Sequence, residues 1–266
     1  MNAIRNTERR RLTARSVIAS TLLGVDPPEL PTAALVGGAE LLGVAPGTAR
    51  VAMSRMVAAG ELEPSDGGYR LAGHLLARRA RQDLSRAGAP RRWDGRWRTV
   101  LVPGEARDAA TRAELRRAMV ALRHAELRDG AWLRPDNLPA GVLPEAEAVA
   151  AAGTVVLRGE VDHGRALAAR LWDLDGWAAG ARSLLQELDP LQRRLDRDDA
   201  TALADGFVVA AAVLRHLQAD PLLPPDLLDR RWPGPRLRAA EARFDVAFKR
   251  VLRDWHRRRA ADRPVP

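Results

Sequence analysis

Between residues 31 and 71 the chain is punctuated in a way that leaves few folds open. Thr32 to Leu42 is apolar enough for one helix, Gly43 can take the left-handed conformation that stops it, and Pro46 sits where a second helix begins. At 100° per residue Ala49, Ala52, Met53, Met56 and Val57 gather on one side of that second helix, while Arg50, Val51, Ser54, Arg55 and Ala58 fall on the other. One face is built to pack, and the other is left for a partner. Gly60 closes the helix. Glu61-Leu62-Glu63 then reads as a short strand, Ser65-Asp66-Gly67-Gly68 as a turn, and Tyr69-Arg70-Leu71 as the returning strand.

Helix, turn, helix and hairpin in this order predict a winged helix-turn-helix that binds double-stranded DNA. On the free face Arg50 and Arg55 are the residue type that pairs bidentately with guanine, and Ser54 can serve a base or a phosphate. Thr48, near the helix N-terminus, suits a phosphate, because its hydroxyl and the unpaired backbone N–H groups converge there. Tyr69 and Arg70, read as exposed on the wing, would reach a phosphate or the minor groove. The same elements also occur in protein-interaction adaptors that touch no DNA.

Composition adds modest support. The net charge is +9, which favours a polyanionic partner. Of the 43 basic residues all but Lys249 are arginine, which together with the alanine richness points to a GC-rich coding bias behind much of that charge. There is no cysteine, so disulfides, iron–sulfur clusters and thiolate metal sites are excluded, and a reducing bacterial cytoplasm is the expected home. The N-terminus holds Arg5, Arg9, Arg10, Arg11 and Arg15, a basic arm with no apolar signal core, and no stretch reads as a membrane span.

The polar, proline-bearing stretch Ser85 to Arg92 reads as a linker. Trp97 to Val102 has the character of a strand, and Arg107 to Arg123 has helical spacing through Leu115, Met119 and Leu122. Glu126-Leu127-Arg128 and Ala131-Trp132-Leu133 flank Asp129-Gly130, a dipeptide suited to a two-residue hairpin turn because both positions tolerate positive φ. Pro144 to Ala152 reads as helix and Thr154 to Val161 as strand. This βαββαβ order predicts a ferredoxin-like layer. From Ala166 the periodicity is helical, with one stripe through Leu203, Phe207, Ala211, Leu214 and Leu217. A final stripe runs through Leu237, Ala240, Phe244, Phe248, Val251 and Trp255. The expected fold class is therefore α+β. The winged unit would occupy residues 1–86, a ferredoxin-like middle domain 93–165, and a helical effector and dimerisation domain 166–266.

Several strings, in this order, resemble the PaaX family of bacterial repressors of phenylacetate catabolism. They are Arg50-Val51-Ala52-Met53-Ser54-Arg55-Met56, Trp93-Asp94-Gly95-Arg96-Trp97, Gly130-Ala131-Trp132-Leu133-Arg134-Pro135, Leu171-Trp172-Asp173-Leu174-Asp175-Gly176-Trp177, and Asp220-Pro221-Leu222-Leu223-Pro224-Pro225-Asp226-Leu227-Leu228 followed by Trp232-Pro233-Gly234. The resemblance runs nearly end to end. It implies a homodimeric transcriptional repressor on a palindromic operator, released by a small-molecule effector, an aryl-CoA or other acyl-CoA thioester. The segment His124 to Asp129 lacks the glycine-bearing apolar run expected there, which leaves room for a different effector. Trp93, Trp97, Trp132 and Trp172 near domain borders could stack on an aryl or adenine ring, with Arg96 and Arg134 reaching CoA phosphates. For any one tryptophan a hydrophobic anchor between domains is the more ordinary role.

Catalytic chemistry is not expected. His74, His124, His163, His216 and His256 are scattered, with no metal-ligand spacing, and neither a nucleophile elbow nor a phosphate-binding glycine loop occurs. The middle region also resembles small CRISPR-associated ferredoxin-like nucleases, whose first strand ends in a metal-binding aspartate. Here that strand ends Leu101-Val102-Pro103-Gly104, without the carboxylate that metal-dependent hydrolysis needs.

Overall fold

The computed structural model describes residues 13–88, 91–103 and 108–261, and most of the basic arm (Arg5, Arg9, Arg10, Arg11) lies outside them. The fold is α+β, mostly helical, with two small antiparallel sheets. The chain divides into two units, Met1–Arg79 with Ser183–Val213 and Ala239–Pro266, and Ala80–Arg182 with Leu214–Arg238.

In the first unit α1 (Ala14–Leu23) starts at Thr13, whose hydroxyl accepts from the Ser16 amide at 3.1 Å while the Thr13 amide donates to Ser16 Oγ at 3.0 Å. β1 (Glu29–Pro31) leads into α2 (Thr32–Leu41), Gly43 turns the chain at φ +80°, and α3 (Pro46–Ala58) begins with proline in its first turn. β2 (Leu62–Ser65) and β3 (Gly68–Leu71) form the hairpin, and β3 is also paired with β1, giving the order β1-β3-β2. β1 is unforeseen in the sequence: three residues, two of them flanking Pro27-Pro28 or being proline, carry no alternation to read. Val17, Ile18 and Leu22 of α1, Leu35 and Ala39 of α2, Met53 and Met56 of α3, and Leu62 and Leu71 share one core.

Three later helices contribute to this unit: α8 (Leu174–Asp196), α9 (Leu203–Gln218, preceded by a 3₁₀ turn at Ala200–Ala202) and α10 (Gly234–Ala261). Ala200–Gln218 does reach the length and composition of a membrane span, contrary to the sequence reading. It also packs inside the protein, burying Leu203, Val208, Val209 and Val213. Buried positions therefore spread around α9 rather than following the single stripe through Phe207 and Ala211. The stripe of α10 is covered by the chain itself. Phe244 and Phe248 stack at 6.2 Å beside Gly206, Arg250 donates to the Leu195 carbonyl at 2.8 Å, and Arg259 pairs with Glu40 of α2 at 3.2 Å. A Cβ on Gly37 of α2 would sit 2.7 Å from His256 Cε1. Gly37→Ala is therefore expected to turn the His256 ring away, while the helix-propensity gain of about 0.5–1 kcal/mol offsets the crowding and leaves stability within about 1 kcal/mol of wild type. NMR of the His256 ring with urea unfolding checks this, and ring signals unmoved by the substitution would show that α2 and α10 do not meet there.

In the second unit β4 (Trp97–Leu101), α5 (Ala109–Ala121), β5 (Ala125–Arg128), β6 (Ala131–Pro135), α6 (Pro144–Ala151) and β7 (Val155–Gly159) follow in the expected order, and α7 (Gly164–Leu171) comes after. All strand pairs are antiparallel, in the order β5-β6-β4-β7. One sheet face, through Val100 and Trp132, packs on Leu115, Met119, Leu143 and Ala150 from α5 to α6. The opposite face, through Trp97 and Leu133, packs on Ala168 of α7 and on Leu223, Leu227 and Leu228.

Two local expectations change. At the β5–β6 turn only Gly130 takes positive φ, at +73°, and the register slips between Glu126 and Arg128, so a bulge at Leu127 absorbs the twist that a two-residue turn would otherwise supply. α4 (His74–Ala87) continues through Ser85, where a linker was read. Ser85 is fully buried because it joins a polar network. Its hydroxyl donates to the Arg81 carbonyl at 2.7 Å and accepts from Arg123 at 2.8 Å, and its carbonyl accepts from Arg238 at 2.8 Å. Arg123 also donates to the Gln218 carbonyl. Asp220 accepts from Arg238 at 2.7 Å and from the Leu222 amide at 2.9 Å. Burial pulls the Arg123 pKa down to about 10, with the Asp220 charge opposing that shift.

Candidate nucleic-acid interface

The division of α3 into two faces follows its sequence periodicity. Ala49, Met53 and Met56 are buried, Ala52 and Val57 half-buried, and Thr48, Arg50, Val51, Ser54, Arg55 and Ala58 exposed. Among the described residues neither Arg50 nor Arg55 has a hydrogen-bond or ion-pair partner, so both guanidiniums are free to meet an anion. Ala45, at the helix entry, offers no side-chain cap, which leaves the first-turn N–H groups beside Thr48 available. Val51, half exposed on the same face, is an apolar contact of the kind a thymine methyl accepts.

A groove of about 450 Å³ runs beside this face, lined by Thr48, Val51, Arg55 and Met56 of α3 and by Thr13 and Arg15 at the start of α1. Arg15 is held in place there. Its Nε donates to Glu61 at 2.7 Å, a second bond joins Nη2 to the same carboxylate, and Glu61 is buried. The Arg15 hydrogen bond keeps the Glu61 carboxyl below its usual range despite burial. Sequence reading saw Glu61 only as the start of a strand. A lone buried glutamate beside an N-terminal arginine 46 residues away gives no local signal.

On the hairpin Arg70 is exposed but paired with Glu63 at 2.8 Å, so a phosphate contact there would have to displace that carboxylate. Tyr69 corrects an expectation: it is half-buried against the core, because β3 is the middle strand and Tyr69 is flanked by Leu30 and Pro64.

The six residues expected at an effector site fall into two groups, Trp93, Arg96, Trp97 and Trp172 in one and Trp132 and Arg134 in the other. Trp97 is buried, with Trp93 edge-on at 6.5 Å and Trp172 stacked at 6.4 Å. Trp93 Nε1 donates to the Arg96 carbonyl at 2.6 Å, while the Arg96 side chain is exposed. Trp132 and Arg134 belong to the other face of the sheet, because residues 97 and 100 on one strand point oppositely and Trp132 pairs with Val100. Arg116 lies over the Trp132 ring at 5.5 Å. Arg134 is buried, donates to the Pro135 carbonyl at 2.8 Å, and is drawn by burial down to about 10. Among the described residues no group of three or more His, Asp or Glu side chains is placed to hold a metal ion.

His124 supplies a pH prediction. Its ring is buried, and burial, with the charges of Arg134 and Arg98, holds its pKa well below 6.5. The folded state therefore binds that proton less readily than the unfolded chain, so its contribution to stability is complete above about pH 6.5 and declines as pH falls below it. Thermal unfolding from about pH 7 to pH 5 is expected to show a larger loss of Tm in the wild type than in His124→Gln; parallel curves would place the acid sensitivity elsewhere.

Comparison with known proteins covers most of the chain. Residues 13–75 match the family described as PaaX-like protein, residues 90–169 the PaaX protein central Cas2-like domain, and residues 172–257 the PaaX-like protein C-terminal domain. No curated protein matches. A solved structure, uncharacterized protein Rv0674 from Mycobacterium tuberculosis, is 40% identical, with a TM-score of 0.71 over 92% of this chain and 99% of that one.

Proposed function

The chain belongs to the PaaX-like family, and on that premise we propose that it is a cytoplasmic, sequence-specific transcriptional regulator that binds double-stranded DNA. In this reading α1 to β3 act as a winged helix-turn-helix, with α3 in the major groove, and the sheet of order β5-β6-β4-β7 with α5 and α6 is a ferredoxin-like layer. The observation that carries it is the exposed α3 face, where Arg50, Ser54 and Arg55 have no intramolecular partner among the described residues and Thr48 sits at a helix entry without a side-chain cap. Arg70 is a secondary contact, available if it exchanges Glu63 for a phosphate. The chemistry is recognition, and no catalytic step is assigned.

The regulator acts as a dimeric repressor, relieved by an acyl-CoA thioester that favours a conformation fitting DNA badly. The stripe of α10 is internal, so the dimer uses another surface. Capture of genomic fragments followed by gel shift tests the core of this reading. Specific duplex binding that weakens steeply with salt is expected. An adaptor would show no salt-dependent affinity for any duplex, and that outcome would overturn the proposal. Tryptophan fluorescence titrated with CoA thioesters, free acids and CoA tests the effector class.

A further inference from the structure

The helix-covered face of the four-stranded sheet carries a line of basic side chains. Arg98 on β4 is in register with Arg134 on β6 and with Arg158 on β7. Continuing the β5–β6 ladder one step from Ala125 opposite Leu133 sets His124 beside Arg134. His124, Arg134, Arg98 and Arg158 therefore form a single row across the strand order β5-β6-β4-β7, all on the face of Val100 and Trp132. Directly opposite residues have Cβ atoms about 4.5–5.5 Å apart, a distance at which like charges oppose one another.

Countercharge in the row is incomplete. Asp136 accepts from Arg158 at 3.0 Å and lies 3.9 Å from Arg134. Glu147 is occupied with backbone, accepting from the Gly141 amide at 2.9 Å and the Leu143 amide at 3.4 Å. Arg98, between two arginines, has no hydrogen bond or ion pair among the described residues. His124 is 5% exposed with neither ring nitrogen bonded, and Arg134, 7% exposed, has an unbonded Nε. Buried donors without acceptors are costly, and two of them, the single N–H of the neutral His124 ring and Arg134 Nε, lie on a line whose charge is already in excess.

We propose that this row is a binding site for a small oxyanion, a carboxylate or phosphate group, received by the planar fork of Arg98 and flanked by His124 and Arg134. A guanidinium accepts such a group through two parallel N–H···O bonds. One negative charge there offsets the opposition between Arg98 and its two neighbours. The neutral His124 ring supplies one N–H without adding to the positive charge. Arg98, half-buried, and Arg158, exposed, lie at the same sheet end and give the anion its way in. Only the consequence for DNA rests on the regulator reading; binding itself does not.

The test is thermal unfolding of the full chain at constant ionic strength in sodium chloride, phosphate, sulfate or benzoate. At least one oxyanion is expected to raise Tm saturably over chloride. Response to phosphate or sulfate assigns a phosphate group, and response to benzoate a carboxylate. Arg98→Gln should weaken the apparent affinity at least tenfold while leaving Tm in chloride equal or higher, because it removes a like charge. Should that variant not fold, Arg98→Lys keeps the charge, loses the fork and is expected to lose most of the response. The ring signals of His124 should shift with the same midpoint in NMR titration. No saturable shift with any of the three oxyanions, or a wild-type response in Arg98→Gln or Arg98→Lys, would overturn the site. Saturable binding in a protein that binds no duplex would keep the site and overturn the regulator reading instead.

Discussion

Replacing Arg50 and Arg55 together by alanine is expected to reduce specific duplex affinity by about 2–6 kcal/mol, taking each bidentate contact as worth about 1–3 kcal/mol and their effects as roughly additive. Both side chains are exposed and make no intramolecular bond among the described residues, so the melting temperature should barely move. The separation of the two effects gives the test its force. Loss of binding with loss of fold would mean that the face is structural. Wild-type affinity in a gel-shift titration would remove α3 from the groove altogether. Each single variant should relax preference at its own base position rather than weaken all sequences equally.

Asp220→Ala is expected to cost about 3–5 kcal/mol of stability, the scale on which breaking a buried ion pair leaves a charge uncompensated. Asp220 is 2% exposed and is the carboxylate bonded to Arg238, with the buried Arg123 guanidinium nearby. Removing it leaves two arginines facing one another across Ser85, with the Leu222 amide also unpaired. Adding Arg238→Met should recover part of the loss, since it removes the charge that Asp220 had balanced. Urea midpoints of the single and double variants decide the matter. A single variant as stable as wild type would show that Arg238 finds solvent instead.

The parts of this fold legible in the sequence were those governed by local rules. Gly43 and Pro46 announce the turn between α2 and α3, and the 3.6-residue spacing through Ala49, Met53 and Met56 separates the packed face from the free one without any tertiary knowledge. The middle strands and helices appear at close to their read positions for the same reason. What stayed hidden depends on partners distant in sequence. β1 exists because Glu29 to Pro31 find β3, and Tyr69 is half-buried because that pairing puts it on a central strand. The Arg15–Glu61 pair spans 46 residues. Trp132 and Trp97 read as companions along the chain, yet strand register sends them to opposite sides of one sheet. The row of His124, Arg134, Arg98 and Arg158 is invisible until four strands are ordered, since each member alone is an unremarkable polar residue in an apolar segment.

The meeting of α2 with the far end of α10 sets an order of events for the newborn chain. Gly37 has the His256 ring against it, and Glu40 is matched to Arg259. Domains generally fold as units while synthesis proceeds from the N-terminus. The helix pair that presents Arg50 and Arg55 is made early, but part of its covering surface is made late. Until residues 239–261 have left the ribosome, α2 lacks that cover. A chain interrupted after the hairpin thus displays the face of Arg50 and Arg55 on a scaffold that is not yet finished.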